Sequence, residues 1–181
     1  YPHHRFVNVD KLTYSGNLNN VVDLEQKENY VFVREDIADF ETMRKIISPG
    51  SIVVNFAAET HVDNSIADSF PFIDSNVVGA HSLLEAARKN NAKLFVQIST
   101  DEVYGSLRFD SSPSKEEDVL RPSSPYSASK SAAELLCFGN IRTFNQPIII
   151  TRSSNNFGPF QFPEKVVPLF VTNLIEGRKV P

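Results

Sequence analysis

The sequence predicts an α/β protein, a doubly wound parallel sheet entered after its first strand. Three observations predict it: short β-branched runs alternate with longer helix-like stretches, several strand candidates are nearly continuous apolar runs, and no glycine-rich turn precedes the first of them. Alternating β and α elements favour parallel strands joined by right-handed crossovers, with helices on both faces. Strands covered on both faces lose the apolar–polar alternation of a half-exposed strand.

The strand candidates are Phe6-Val7-Asn8-Val9, Tyr30-Val31-Phe32-Val33, Ile52-Val53-Val54-Asn55-Phe56, Leu94-Phe95-Val96-Gln97-Ile98 and Ile148-Ile149-Ile150-Thr151. A helix is predicted over residues 39–48. The clearest helix follows Pro71, where Ile73, Val77, Ala80, Leu84 and Ala87 recur at spacings of four and three and so share one stripe. Two more are predicted over 126–144 and 164–177. The one long connection, residues 105–125, is rich in Ser, Pro and charge and reads as an exposed loop beside the site.

A dinucleotide-binding sheet opens with a strand and a Gly-x-Gly-x-x-Gly turn, whose backbone N–H groups approach a pyrophosphate. The glycines here, Gly16, Gly50, Gly79, Gly105, Gly139, Gly158 and Gly177, are too far apart to make one. A strand closing on Asp10 is what should follow such a turn by about 20 residues. The chain therefore reads as the middle of a longer enzyme, lacking both ends.

Composition narrows the class. A net charge of -4 gives no general attraction to nucleic acid or acidic membranes. No apolar run approaches the roughly 18 residues of a membrane helix, and the start, Tyr1 to Phe6, lacks the apolar core of a secretory signal. The single cysteine, Cys137, rules out an internal disulfide framework and suits a reducing, cytoplasmic setting. His61-x-Asp63 supplies too few ligands for a metal site, so no metal is expected.

Three motifs carry chemistry. In Tyr126-Ser127-Ala128-Ser129-Lys130, residues four apart share a helix face, so phenol and ammonium can meet. A lysine beside a tyrosine stabilises the phenolate, which could then take a proton from a sugar hydroxyl. Alone, this spacing is better read as a common accident of an amphipathic helix. Ser99-Thr100-Asp101-Glu102-Val103-Tyr104-Gly105 follows a strand directly, at the end where ligands bind in open α/β sheets. A hydroxyl and two adjacent carboxylates offer a hydrogen bond, a general acid and a general base; alone, a helix cap explains them equally well. Asp10-Lys11-Leu12-Thr13 closes the first strand, where a carboxylate would accept from the adenosine ribose and repel a 2′-phosphate. Its plainer reading is an Asp ending a strand, and Lys11 leaves room for NADP. Asp36-Ile37 closes the second strand and would flank the adenine. Ala57-Ala58 closes the third, small enough to let a cofactor lie near the backbone.

Taken together with Ala57-Ala58-Glu59-Thr60-His61-Val62-Asp63, Ser154-Asn155-Asn156-Phe157-Gly158-Pro159 and Phe162-Pro163-Glu164-Lys165, these blocks resemble the extended short-chain dehydrogenase/reductases, and within them the dTDP-glucose 4,6-dehydratase group, over essentially the whole chain. Asp101 decides the subgroup, because epimerases of this kind usually carry small or uncharged residues at Asp101 and Glu102, and decarboxylases and GDP-mannose dehydratases usually carry Ser at Asp101. The resemblance implies a Rossmann-like, NAD-binding domain over residues 1–155 and the start of a substrate-binding region over 156–181. It implies catalytic roles for Thr100, Asp101, Glu102, Tyr126 and Lys130. Ser75 and Asn156 would lie near the cofactor with Asp10, Lys11, Leu12, Thr13, Asp36, Ile37, Ala57 and Ala58. Thr60, His61, Asn155, Lys165 and Val166 would lie near a nucleotide-sugar substrate. A homodimer is expected on the same ground. The alternatives are a nucleotide-sugar epimerase or decarboxylase on the same scaffold, and a non-catalytic dinucleotide sensor, which would need neither acid nor base.

Overall fold

A computed structural model describes residues 1–180. All five predicted strands form: β1 (Phe6–Val9), β2 (Tyr30–Val33), β3 (Ile52–Asn55), β4 (Leu94–Thr100) and β5 (Ile148–Ser153). Every pairing is parallel. β4 and β5 each run two residues past their expected ends, because Ser99 pairs with Arg152 and Thr100 with Ser153. That extension places Thr100 at the carboxyl edge of the sheet.

The strands pair as two sheets, β1-β2 and β3-β4-β5, rather than as one. The facing sides of β1 and β3 border a single cleft of about 680 Å³, whose walls include Val7, Val9, Ile52 and Val54. One parallel strand in that cleft would join the sheets in the doubly wound order, with two strands on one side of it and three on the other. The split thus has a simple cause: the expected first strand has no counterpart among the described residues.

The core lies between β3-β4-β5 and the helices α1 (Phe40–Ile46), α4 (Ala80–Lys89) and α5 (Pro125–Phe144). Met43, Leu84, Phe95 and Cys137 are fully enclosed there, packed with Ile37, Ile47 and Leu83. Alternation along β3 turns Val53 and Asn55 toward these helices and leaves Ile52 and Val54 exposed. Asp39 starts α1 by accepting from the Thr42 backbone N–H at 3.1 Å and its hydroxyl at 2.7 Å.

The helix predicted after Pro71 is continuous from α3 (Phe70–Ile73) through a π-helical turn (Asp74–Gly79) into α4. The wide turn rotates the side chains, so the predicted stripe divides. Ala80, Leu84 and Ala87 are wholly buried, whereas Ile73 is 47% exposed. The same turn carries Ser75 and Asn76 inward, as π turns often do at functional sites. Three short elements went unpredicted: 3₁₀ turns at Leu18–Leu24 and Asp101–Tyr104, and α2 (Val62–Ala67). Each is seven residues or fewer and starts at a capping side chain, Asn17, Thr100 and His61 respectively, rather than on an apolar period. The last helix, α6 (Val166–Ile175), buries no residue.

The 105–125 loop is anchored at both ends. Arg121 N–H donates to the Val103 carbonyl at 2.9 Å, and Gly105, at φ 78°, lies so close to the Arg121 carbonyl that a Cβ would collide with it. Gly105→Ala is expected to cost the full-length protein about 2 kcal/mol or more through the positive φ and the collision. An unchanged melting temperature would show that the loop does not close there.

Candidate active site

α5 starts in a way that fixes Tyr126. Ser124 and Ser127 cap its first turn reciprocally, and Pro125 occupies the first helical position. The Tyr126 N–H, one of the donors a helix start leaves without an internal partner, donates to Ser65 Oγ of α2 at 3.2 Å. Ser65 in turn donates to the Val62 carbonyl at 2.6 Å. The Tyr126 ring is buried edge-on against Phe72, with centroids 6.4 Å apart.

A second tie runs through Asn76 of the π turn. Its Nδ2 donates to the Glu59 carbonyl at 2.9 Å and to Ser129 Oγ at 2.8 Å, and its Oδ1 accepts from the Glu59 N–H at 2.8 Å. Ser129 Oγ donates to the Tyr126 carbonyl at 2.7 Å. The strand-end segment Ala57–Glu59 is thereby locked to the helix bearing Tyr126 and Lys130. Neither Ser65 nor Asn76 was singled out from the sequence; for Asn76, a polar residue three positions before Gly79 within a helical apolar period was the available signal.

At the end of β4, Thr100 caps the Asp101–Tyr104 turn. Its Oγ1 accepts from the Glu102 N–H at 3.2 Å and donates to Asp101 Oδ1 at 3.3 Å. Burial holds the Glu102 carboxyl above its ordinary pKa, the Asp101 charge adds to this, and Lys165 opposes it. Thr100 also reaches Tyr126: burial raises the phenol's pKa, a hydrogen bond with Thr100 draws it down, and the charges of Glu102 and Asp101 raise it again. The structure therefore brings Thr100, Asp101, Glu102 and Tyr126 together.

One expectation is corrected here. Lys130 does not lower the Tyr126 pKa, which is raised. The reason is where the ammonium points: Lys130 Nζ donates to the Ile98 carbonyl at 2.6 Å. Lys130 is only 5% exposed, and burial brings its own pKa down from 10.5 to about 8, against the opposing pull of Glu134. Its remaining N–H donors are left for a ligand.

The predicted cofactor residues gather at the ends of β1, β2 and β3. Asp10, Lys11, Thr13, Asp36, Ile37, Ala57, Ala58 and Ser75 line one cleft of about 190 Å³. Asp10 Oδ1 accepts from the Leu12 N–H at 2.7 Å, holding Leu12 at φ 57° and leaving the second carboxylate oxygen as an acceptor. Lys11 Nζ pairs with Asp36 at 3.2 Å and donates to Ser75 at 2.9 Å. Its charge is thus already engaged, which narrows the room it left for a 2′-phosphate. The free Asp10 carboxylate oxygen suits a ribose hydroxyl pair, which would donate to it, rather than an anion, and the alanines leave space for a flat group. Asn156 stands apart on an exposed loop, its amide donating to Ser153 Oγ and the Ser154 carbonyl.

The predicted substrate residues are partly assembled. Lys165 Nζ donates to the Thr60 carbonyl at 3.0 Å, and Tyr14 donates to Glu164 at 2.9 Å, so residues 162–165 bridge the ends of β1 and β3. Burial and Glu164 push the Tyr14 phenol up to about 12. His61 Nδ1 accepts from the Asn64 N–H at 3.4 Å as the cap of α2. Asn155 and Val166 are exposed. No group of three or more His, Cys, Asp and Glu placed to hold a metal ion occurs among the described residues. No helix of the described residues is long and apolar enough to cross a membrane.

Comparison with known proteins gives consistent matches. The family model described as GDP-mannose 4,6 dehydratase matches residues 1–181. A dTDP-glucose 4,6-dehydratase of Streptomyces antibioticus is 50% identical over 173 residues, which is 96% of this chain and 50% of that protein. dTDP-glucose 4,6-dehydratase 1 of Escherichia coli K12 is 43% identical, over 97% of this chain and 54% of its own length. The crystal structure of a DesIV double mutant, a dTDP-glucose 4,6-dehydratase from Streptomyces venezuelae with NAD bound, superposes with a TM-score of 0.95 at 40% identity, covering 100% of this chain and 56% of that one. UDP-glucuronic acid 4-epimerase from Bacillus cereus superposes at 0.85 with 27% identity. The chain spans about half the length of the curated relatives it matches.

Proposed function

We propose, for a chain that belongs to the GDP-mannose 4,6 dehydratase family, that the enzyme it forms removes water from a nucleoside-diphosphate glucose, dTDP-glucose in preference, to give the 4-keto-6-deoxy sugar with bound NAD. The observation that carries this reading is the meeting of Tyr126 and Thr100 with two adjacent carboxylates, Asp101 and Glu102, on one strand-end turn. An oxidising pair alone would serve an epimerase. The added acid and base are what an elimination needs.

The chain's own residues divide the work. Tyr126, helped by the Thr100 hydroxyl, takes the proton of the sugar's C4 hydroxyl. The chemistry that bound NAD would supply is acceptance of a hydride from C4 and its return at C6. The C4 ketone acidifies the C5 proton, which Glu102 removes in its charged form, and Asp101 protonates the departing C6 oxygen so that it leaves as water. Lys130 would hold the cofactor's nicotinamide ribose beside Tyr126. Asp10, with Leu12 held against it, would hold the adenosine ribose; Lys11, Thr13, Asp36, Ile37, Ala57, Ala58 and Ser75 line that pocket, and Asn156 would lie near the cofactor from its exposed loop. Thr60, His61, Asn155, Lys165 and Val166 face the sugar nucleotide. Because the hydride taken at C4 would go back to the same sugar, no second substrate would be needed to regenerate the cofactor. The single buried cysteine suits a reducing compartment, so the reading places the enzyme in the cytoplasm. As a homodimer it would bury Leu135, Phe138 and Phe144, apolar residues that α5 exposes.

The test is product mass after the full-length protein is incubated with NAD and dTDP-glucose. Loss of one water is expected, and Asp101→Asn should abolish it. Recovery of unchanged mass from both the dTDP and the UDP sugar would sink the reading in favour of an epimerase or a sensor.

A further inference from the structure

The Arg152 guanidinium joins four parts of the chain. From β5, its Nε and Nη2 donate to both oxygens of Glu134 on α5 at 2.7 to 3.1 Å. Its Nη1 donates to the Tyr104 hydroxyl at 2.7 Å and to the Glu116 carbonyl of the long loop at 2.8 Å. The guanidinium also lies 4.9 Å from the centre of the Tyr104 ring. The Glu134 side chain has no exposure and that of Arg152 only 11%.

Such a pair is a weak source of stability, because removing two charges from water offsets most of their attraction. What it supplies is geometry: the planar fork of an arginine fixes both distance and orientation to a carboxylate. Glu134 stands one helical turn beyond Lys130 and two beyond Tyr126, on the same face of α5. Tyr104 ends the 3₁₀ turn that Asp101 and Glu102 begin. One guanidinium is therefore fixed on one side to the helix of the oxidising pair and on the other to the turn of the eliminating pair.

We propose that Arg152, with Glu134 and Tyr104, is a positioning clamp that sets the Asp101/Glu102 turn against the Tyr126/Lys130 helix. None of the three touches the reacting atoms. The role rests on the dehydratase reading, and the step it serves is the elimination. There the C5–H bond breaks and its proton passes to Glu102, the C6–O bond breaks and the oxygen leaves as water with the Asp101 proton, and a C5=C6 double bond forms. Oxidation at C4 rests on Tyr126, Lys130, Thr100 and the cofactor, and Thr100 is held in β4 by its pairing with Ser153, so a loosened turn slows the second step more than the first.

Tyr104→Phe keeps the ring and removes one hydroxyl. In the full-length enzyme, with NAD and dTDP-glucose, it should slow water loss about tenfold, as displacements of reacting groups near 1 Å or less do, with KM unchanged. The near-ultraviolet absorbance of reduced nicotinamide should rise in the steady state, because C4 oxidation outpaces elimination, while the melting temperature holds. The paired replacement Glu134→Leu with Arg152→Met removes both buried charges together and should give the same spectral signature in a folded protein. Rate and spectrum unchanged in Tyr104→Phe would overturn the clamp. So would a rate that falls only in step with the melting temperature, with no rise in absorbance. An unsubstituted enzyme that removes no water would instead sink the dehydratase reading itself and take the clamp with it.

Discussion

Glu102→Gln in the full-length enzyme is expected to slow water loss by about 10²- to 10⁴-fold, the usual worth of a general base, while the protein folds normally. Glu102 lies in a partly buried turn beside Asp101, and its carboxyl is held above the ordinary range mainly by burial, then by that neighbouring charge. The base works deprotonated, so the unsubstituted enzyme should lose activity as the pH falls through this raised pKa. That acid limb should sit higher than a free glutamate would place it. Glutamine cannot titrate, so the residual activity of the variant should lack the limb. The pH profile of kcat checks both statements together; a limb that survives in Glu102→Gln would assign the base elsewhere.

Lys130→Met is expected to do two opposite things. Activity should fall by at least about 10²-fold, because the donor that would hold the cofactor's nicotinamide ribose is lost. Stability should rise at neutral pH. Burial lowers the Lys130 pKa from 10.5 to about 8, so the folded chain resists the proton that the unfolded chain holds. Between pH 8 and 10.5 the unfolded state binds more protons, and stability therefore climbs with pH across that window. Below it, the whole cost of enclosing the charge is present, on the order of 3 kcal/mol. Methionine removes that cost but forfeits the hydrogen bond to the Ile98 carbonyl, for a net gain of roughly 1–3 kcal/mol. Melting temperatures across this pH range are the check: the climb should flatten in the variant. A variant less stable at neutral pH would mean that the ammonium stabilises the fold.

The strands were legible because parallel strands write themselves as apolar runs, and all five fall where those runs are. The site motifs were legible because they sit at strand ends and at one helix start, where ligands collect. What the residues alone did not disclose lies in distance rather than pattern. Nothing local marks the π turn that swings Asn76 onto Ser129, since the apolar stripe continues through it. Lys130 was expected to face Tyr126 and instead donates to the Ile98 carbonyl, a choice set by the strand across 32 residues. Glu134 had a signal, the four-residue spacing Tyr126, Lys130, Glu134; its partner Arg152 had none, because only the register of β4 and β5 brings it there.

Under the proposed mechanism, one site oxidises C4, eliminates water across C5 and C6, and returns the hydride at C6. This mechanism is tested most directly with dTDP-glucose deuterated at C4, the full-length enzyme and NAD, by locating the label in the product. Loss of one water is expected, with deuterium in the C6 methyl group and a solvent-derived hydrogen at C5. A product of unchanged mass with deuterium still at C4 would contradict it and make this site an epimerase.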